Sequence, residues 1–162
     1  MTTSSTITSQ SQADSRHQLE LGRRGEELAA AYVQQLGYHI VAANFALPVG
    51  RNRLGVPINV EIDLVAYQGA TLCFVEVKSR ASDWFAPPQV NVDRRKQRQI
   101  ARAARAYRRM FGLVGEPYRY DVITIVFGDE EDLRVPPRIE LLRNYWTEDQ
   151  LRKRTWSDRY YD

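Results

Sequence analysis

Glu61, Asp63, Glu76 and Lys78 stand within "VEIDLVAYQGATLCFVEVKSR", residues 60–80, where most other positions carry the apolar and β-branched residues that fill strands. Side chains alternate between the faces of a strand. Glu61, Asp63 and Val65 are therefore expected on one face and Ile62, Leu64 and Ala66 on the other, and Phe74, Glu76 and Lys78 opposite Cys73, Val75 and Val77. A turn at Gln68 to Thr71 would set Asp63 across from Glu76 and Glu61 across from Lys78, so that all four polar groups line one face of a hairpin. Facing residues have Cβ atoms about 4.5–5.5 Å apart, and like charges at that distance destabilise a sheet. A divalent cation offsets the repulsion, because Mg²⁺ takes oxygen ligands from one or two carboxylates and completes its shell with water and substrate phosphate. A lysine beside it can orient or deprotonate a water, or stabilise charge building up on a phosphate. The plainer arrangement is an exposed Glu61–Lys78 ion pair next to solvated acids, which is worth little. The apolar flanks favour an interior hairpin instead, where unpaired acids are costly.

Elements on either side must position this hairpin. From His17 to Leu36 the spacing of Leu21, Gly25, Leu28, Tyr32 and Leu36 is helical, with Gly37 as a stop. Glu26 lies at the border of that apolar stripe and Glu27 on the polar side, which leaves Glu26 able to lean over the sheet. "YHIVAANF" reads as a short strand, and "ALPVGRNRLGVPIN", residues 46–59, reads as a long loop because it holds two Pro and two Gly and no periodicity. After the hairpin, "APPQV" breaks the chain before a helix over residues 93–112. "YRYDVITIVF" then alternates as a strand, "GDEEDLRVPP" is an acidic loop, "RIELLRNYW" is the last strand, and Thr147 with Gln150 caps a short helix. This order implies an α/β (α+β) fold with a central mixed β-sheet flanked by helices.

The second helix is basic. Arg94, Arg98, Arg102, Arg105 and Arg109 form one stripe at helical spacing, opposite Ile100, Ala103, Ala104, Tyr107 and Phe111. An unbroken ridge of one sign suits phosphate backbones better than a plain solvated face, where signs are usually mixed. Lys96 departs from the ridge and projects on the apolar side, toward the acids of the hairpin.

With 162 residues the chain supports one domain, expected over residues 17–152 between a disordered N-terminal tail, 1–16, and a C-terminal tail, 153–162. The net charge of +3 and pI near 9.1 matter less than their uneven spread. Cys73 is the single cysteine, which excludes an intrachain disulfide, suits a reducing, cytoplasmic setting and reads as a packed thiol. The N-terminal segment lacks the apolar core of a signal peptide, and no apolar run reaches the roughly 18 residues of a membrane span.

"LGRRGEELAAAYVQQLGY", "EIDLVA", "FVEVKSR", "RRKQRQIARAARAY" and "YRYDVITI" occur in that order between Leu21 and Phe127, and in this the chain resembles the YraN family of predicted endonucleases. It also looks like the wider PD-(D/E)xK superfamily, which includes the archaeal Holliday junction resolvases. The resemblance implies a restriction-endonuclease-like core. It implies that Asp63 and Glu76 bind Mg²⁺ (or Mn²⁺) with the Val77 carbonyl, that Lys78 is the catalytic lysine and Glu26 a helix-borne catalytic acid, and that Lys96 supports them. Glu61, from its place on the hairpin face and not from the resemblance, is expected as a further supporting residue. Where the family usually has a short link and a glycine before Glu-Ile-Asp, this chain has the longer 46–59 segment and Val60. The expected function is metal-dependent hydrolysis of phosphodiester bonds with low sequence specificity, the ridge gripping the backbone without reading bases. DNA is favoured over RNA, branched or damaged DNA is a target by analogy, no membrane partner is expected, and the likeness to resolvases makes a homodimer plausible. The competing expectation is a non-catalytic nucleic-acid-binding or protein-interaction module on the same fold.

Overall fold

The computed structural model describes residues 4–81, 92–128 and 135–152, with side chains from residue 14 onward. Its elements in chain order are α1 (Ser4–Gln35), β1 (His39–Arg51), β2 (Pro57–Gln68), β3 (Thr71–Arg80), α2 (Arg94–Met110), β4 (Tyr118–Val126), β5 (Arg138–Trp146) and α3 (Glu148–Leu151). The five strands form one mixed sheet in the order β1-β2-β3-β4-β5, antiparallel except for the parallel pair β3 and β4. Helices flank it, as the α/β expectation required. Among the described residues no helix is long and apolar enough to cross a membrane.

Two elements differ from their expected bounds. α1 begins at Ser4 and not near His17, so it runs through the segment expected as an unordered tail; no Gly or Pro interrupts the backbone before Gly22. The segment 46–59 is not a long loop but mostly paired strand, with β1 running to Arg51 and β2 starting at Pro57. Two features accommodate its prolines and glycines. β1 is an edge strand, where the missing N–H of Pro48 is tolerated, and the register shifts between Pro48 and Gly50, with Gly50 at φ +150°. The turn itself is short and is closed by the Asn52 side chain, whose Oδ1 accepts from the N–H groups of Leu54 (2.9 Å) and Val56 (3.0 Å). The expected break at Ala86 to Val90 and most of the acidic loop lie outside the described residues.

Because β3 and β4 are apolar on both faces, the sheet builds two cores. On one face Ile100, Ala101, Ala103, Ala104 and Tyr107 of α2 pack over Val65, Phe74, Tyr120, Val122 and Trp146. On the other, Ala29 and Val33 of α1 pack over Leu64, Ala66, Cys73, Val75, Ile123 and Ile125. α2 starts cleanly because Asp93 accepts from the Lys96 N–H at 2.8 Å. α1 sits so close to β3 that a Cβ built at Gly25 falls 1.7 Å from Ser79 Oγ and 2.8 Å from Ser79 Cβ. That contact holds the next residue, Glu26, beside the sheet.

Gly25→Ala should therefore lower stability by about 1–3 kcal/mol, the usual cost of forcing a methyl into a filled interface, measured by urea denaturation. Adding Ser79→Gly should recover most of the loss, since it removes both clashing atoms; a Gly25→Ala protein as stable as the parent would show that the helix can lift off without cost.

Candidate active site

β2 and β3 pair from Gln68↔Thr71 as far as Leu64↔Val75, and the paired register stops there. Gly69, at φ +58°, supplies the positive φ that a two-residue hairpin turn needs. The next two facing residues are Asp63 and Glu76. Asp63 uses Oδ2 to accept the Val77 N–H at 2.7 Å, so a carboxylate occupies the place where a β2 carbonyl would continue the ladder. Glu76 is only 3% exposed. Its Oε1 lies 2.9 Å from Lys78 Nζ and 3.3 Å from Lys96 Nζ, and its buried Oε2 has no hydrogen-bond partner among the described residues.

Glu61 does not join this group as strict alternation required. Val60 and Ile62 pack in the same core as Val65, whereas Leu64 packs with Ala66 under α1, so β2 changes face between Ile62 and Val65. The change is shared with β1. Asn44 there has φ +49°, and the β1–β2 register runs from Ala43↔Leu64 to Phe45↔Ile62 with no pairing of Asn44 to Asp63 between them. Asn tolerates a left-handed backbone better than most residues, which is why it can hold the turnover. Glu61 is consequently exposed, pairs with Asn44 (Nδ2 to Oε1, 3.5 Å) and not with Lys78, and the cross-strand ion pair does not form.

Asn44 also donates Nδ2–H to Glu26 Oε2 at 2.7 Å. It thus ties the helix-borne acid of α1 to the strand opposite Asp63. Sequence reasoning missed this residue; the available signal was an Asn within the mostly apolar "YHIVAANF". Lys96 does reach the acids from the first turn of α2, and Val77 supplies its N–H to Asp63 while lining the adjoining cavity. The five ridge arginines Arg94, Arg98, Arg102, Arg105 and Arg109 are all exposed along α2. Two are engaged by the protein: Arg102 donates to the Val49 carbonyl at 2.9 Å and Arg105 pairs with Glu148 at 2.6 Å.

Electrostatics separate this cluster from the other buried acid. Asp121 is fully buried within β4, in register with Val75, but closed by donors: Arg119 Nε at 2.9 and 3.0 Å, Tyr38 Oη at 3.2 Å and the Asn144 N–H at 2.8 Å. Asp63 has one donor among the described residues, the Val77 N–H. Burial pushes its carboxyl up to about 7, with the Glu76 charge adding to the rise and the Val77 N–H and Lys96 opposing it. Two converging carboxylates, one holding an unsatisfied oxygen and the other reluctant to ionise, are hard oxygen donors that suit Mg²⁺ or Mn²⁺. Among the described residues no three His, Cys, Asp or Glu side chains group closely enough to hold an ion together.

The model of the uncharacterised protein family UPF0102 matches residues 25–125, from the α1 glycine to β4. A UPF0102 protein of Geobacter sulfurreducens is 41% identical over 130 residues, 80% of this chain and 91% of its own length. One from Chlorobium chlorochromatii is 40% identical over 131 residues (80% and 93%), and one from Koribacter versatilis 34% over 131 residues (81% and 82%).

In metal-free protein the Asp63 carboxyl should titrate near 7 by NMR, and Glu76→Gln should lower that value by removing the like charge while burial keeps it above 3.8. The raised value has a defined effect on stability: between about 4 and about 7 the folded protein holds a proton that the unfolded chain has released, so this group's contribution falls as pH rises through that window. Titration of Asp63 in the ordinary carboxylate range, unchanged by Glu76→Gln, would show that the two acids do not interact.

Proposed function

The chain belongs to the uncharacterised protein family UPF0102, the YraN family, and on that premise we propose that it is a metal-dependent nuclease hydrolysing phosphodiester bonds of DNA with low sequence specificity. The observation that carries this reading is the convergence of Asp63, Glu76 and Lys78 where the β2–β3 ladder ends. A carboxyl raised by burial and by a neighbouring charge, as that of Asp63 is, marks a functional-site candidate.

Asp63 and Glu76 would hold Mg²⁺ or Mn²⁺, with the Val77 carbonyl as the neighbouring backbone oxygen. The ion, when bound, supplies Lewis acidity and neutralises the two carboxylates. The chain's own residues do the rest. Lys96 holds Glu76 Oε1 and so leaves Oε2 available. Lys78, 2.9 Å from the same carboxylate and about a third exposed, can present its ammonium to an attacking water or to a phosphoryl oxygen. Glu26, fixed by Asn44, adds a proton acceptor on the α1 side. α2 starts at this cluster and carries its exposed arginines away from it for roughly 25 Å, at 1.5 Å per residue. Phosphate contacts along such a ridge position a nucleic acid without reading its sequence.

The test is cleavage of labelled single-stranded, duplex, flapped and four-way DNA with Mg²⁺ or Mn²⁺. Asp63→Ala and Lys78→Ala should each lose about 10²-fold or more in rate, the scale of removing a proton-transfer or charge-stabilising group, while still binding. Binding by wild type without cleavage, with both variants behaving alike, would replace this reading by a non-catalytic nucleic-acid-binding module. Arg98→Ala, which removes an exposed ridge cation that forms no hydrogen bond or ion pair among the described residues, should weaken binding to all sequences alike and lower the log–log salt slope by about 1; an unchanged slope would place the nucleic acid elsewhere.

A further inference from the structure

Beside the carboxylate pair lies a cavity of about 560 Å³ between α1 and the end of β3. The proposed chemistry does not use it. Glu26, Val77 and Lys78 belong both to its wall and to the candidate active site, so one opens into the other. The remainder of the lining is of mixed character. Leu21, Gly22 and Ala81 give an uncharged apolar floor, Gln18 an amide, and His17 and Arg80 groups able to donate to an anion. Its volume falls within the roughly 300–1,000 Å³ of pockets that hold small ligands.

Gly22 lies on the open side of this space. It occupies a helical position where a Cβ would meet nothing within 4 Å, in contrast to Gly25 one turn later, where the same atom would strike Ser79. Gly25 lets α1 touch β3, whereas Gly22 borders open space beside that contact. A glycine costs a helix interior about 1 kcal/mol relative to alanine, and no close packing at Gly22 offsets that cost.

We propose that this cavity is a nucleotide subsite, which takes the nucleoside phosphate unit flanking the bond to be cut. The cationic and amide groups would meet a phosphate and a base edge, and the apolar floor a sugar or base face. The assignment rests on the nuclease reading for its purpose, and its geometry can be tested without cleavage.

The probe is thymidine 3′,5′-bisphosphate, titrated with Mg²⁺ into ¹⁵N-labelled full-length protein and followed by NMR. In wild type the amides of residues 17–22 and 78–81 and the His17 ring should shift on saturation. Gly22→Leu, which adds a side chain where a Cβ meets no atom within 4 Å, should weaken binding by about tenfold or more, or 1.4 kcal/mol. Gln34→Leu, on the exposed surface of the same helix and outside the cavity, should bind as wild type does. His17→Ala supplies a second variant that adds no bulk, and should weaken binding by about threefold or more, the loss of one contact to phosphate. Equal affinity in wild type, Gly22→Leu and His17→Ala, or no binding by wild type, overturns the subsite even if the protein cuts DNA. Binding that Gly22→Leu abolishes, in a protein that cuts nothing, supports the subsite and overturns the nuclease reading.

Discussion

Two carboxylates, Asp63 and Glu76, meet in a place from which water is largely excluded, and much of the surrounding structure follows from the cost of that meeting. The charges cannot both persist there unaided. The protein meets the problem unevenly: one oxygen of Glu76 takes two lysines, one oxygen of Asp63 takes a backbone N–H, and the remaining capacity is left open. Asp121 shows what the same fold does with an acid that serves structure. Its oxygens are closed by Arg119, Tyr38 and the Asn144 amide, and no chemistry is left over.

Three elements hold the open cluster in place, each by a different local device. α2 delivers Lys96 from its first turn, which Asp93 caps, so the lysine arrives at a helix end whose position is defined by a hydrogen bond. α1 delivers Glu26 because Gly25 allows the helix backbone to close on Ser79. β1 delivers Asn44 in a left-handed conformation at the point where both strands change face. Without that turnover Ile62 would leave the α2 core and Glu61 would crowd the acid pair. The bulged, edge-strand character of β1 makes the irregularity tolerable, since only one neighbour must accommodate it.

The basic helix connects the cluster to the outside. Its buried stripe, Ile100 through Tyr107, is ordinary core, and the exposed arginines opposite form the surface the sequence pattern required. Arg102 and Arg105 are also fasteners, one to the β1 edge and one to α3, so the ridge is stiffer than a free row of side chains.

Periodicity and turn chemistry by themselves determined much of the molecule. The hairpin at Gly69, the 3.6-residue pattern of α2 with Lys96 on its inner side, the last strand at Arg138–Trp146 and the nearness of Asp63 to Glu76 all follow from spacings of a few residues along the chain. Tertiary structure decided what no local pattern encodes. Pro48 and Gly50 looked like loop until the edge position of β1 made them acceptable in a strand, and the start of α1 depended on the absence of breakers more than on any apolar stripe. Glu61 looked like a partner of Lys78 until Asn44 turned both strands over, because alternation holds only while the backbone stays regular. The carboxylate pair was written in the sequence; which oxygens stay unsatisfied, and which cations reach them, was settled by packing two helices and an irregular edge strand around it.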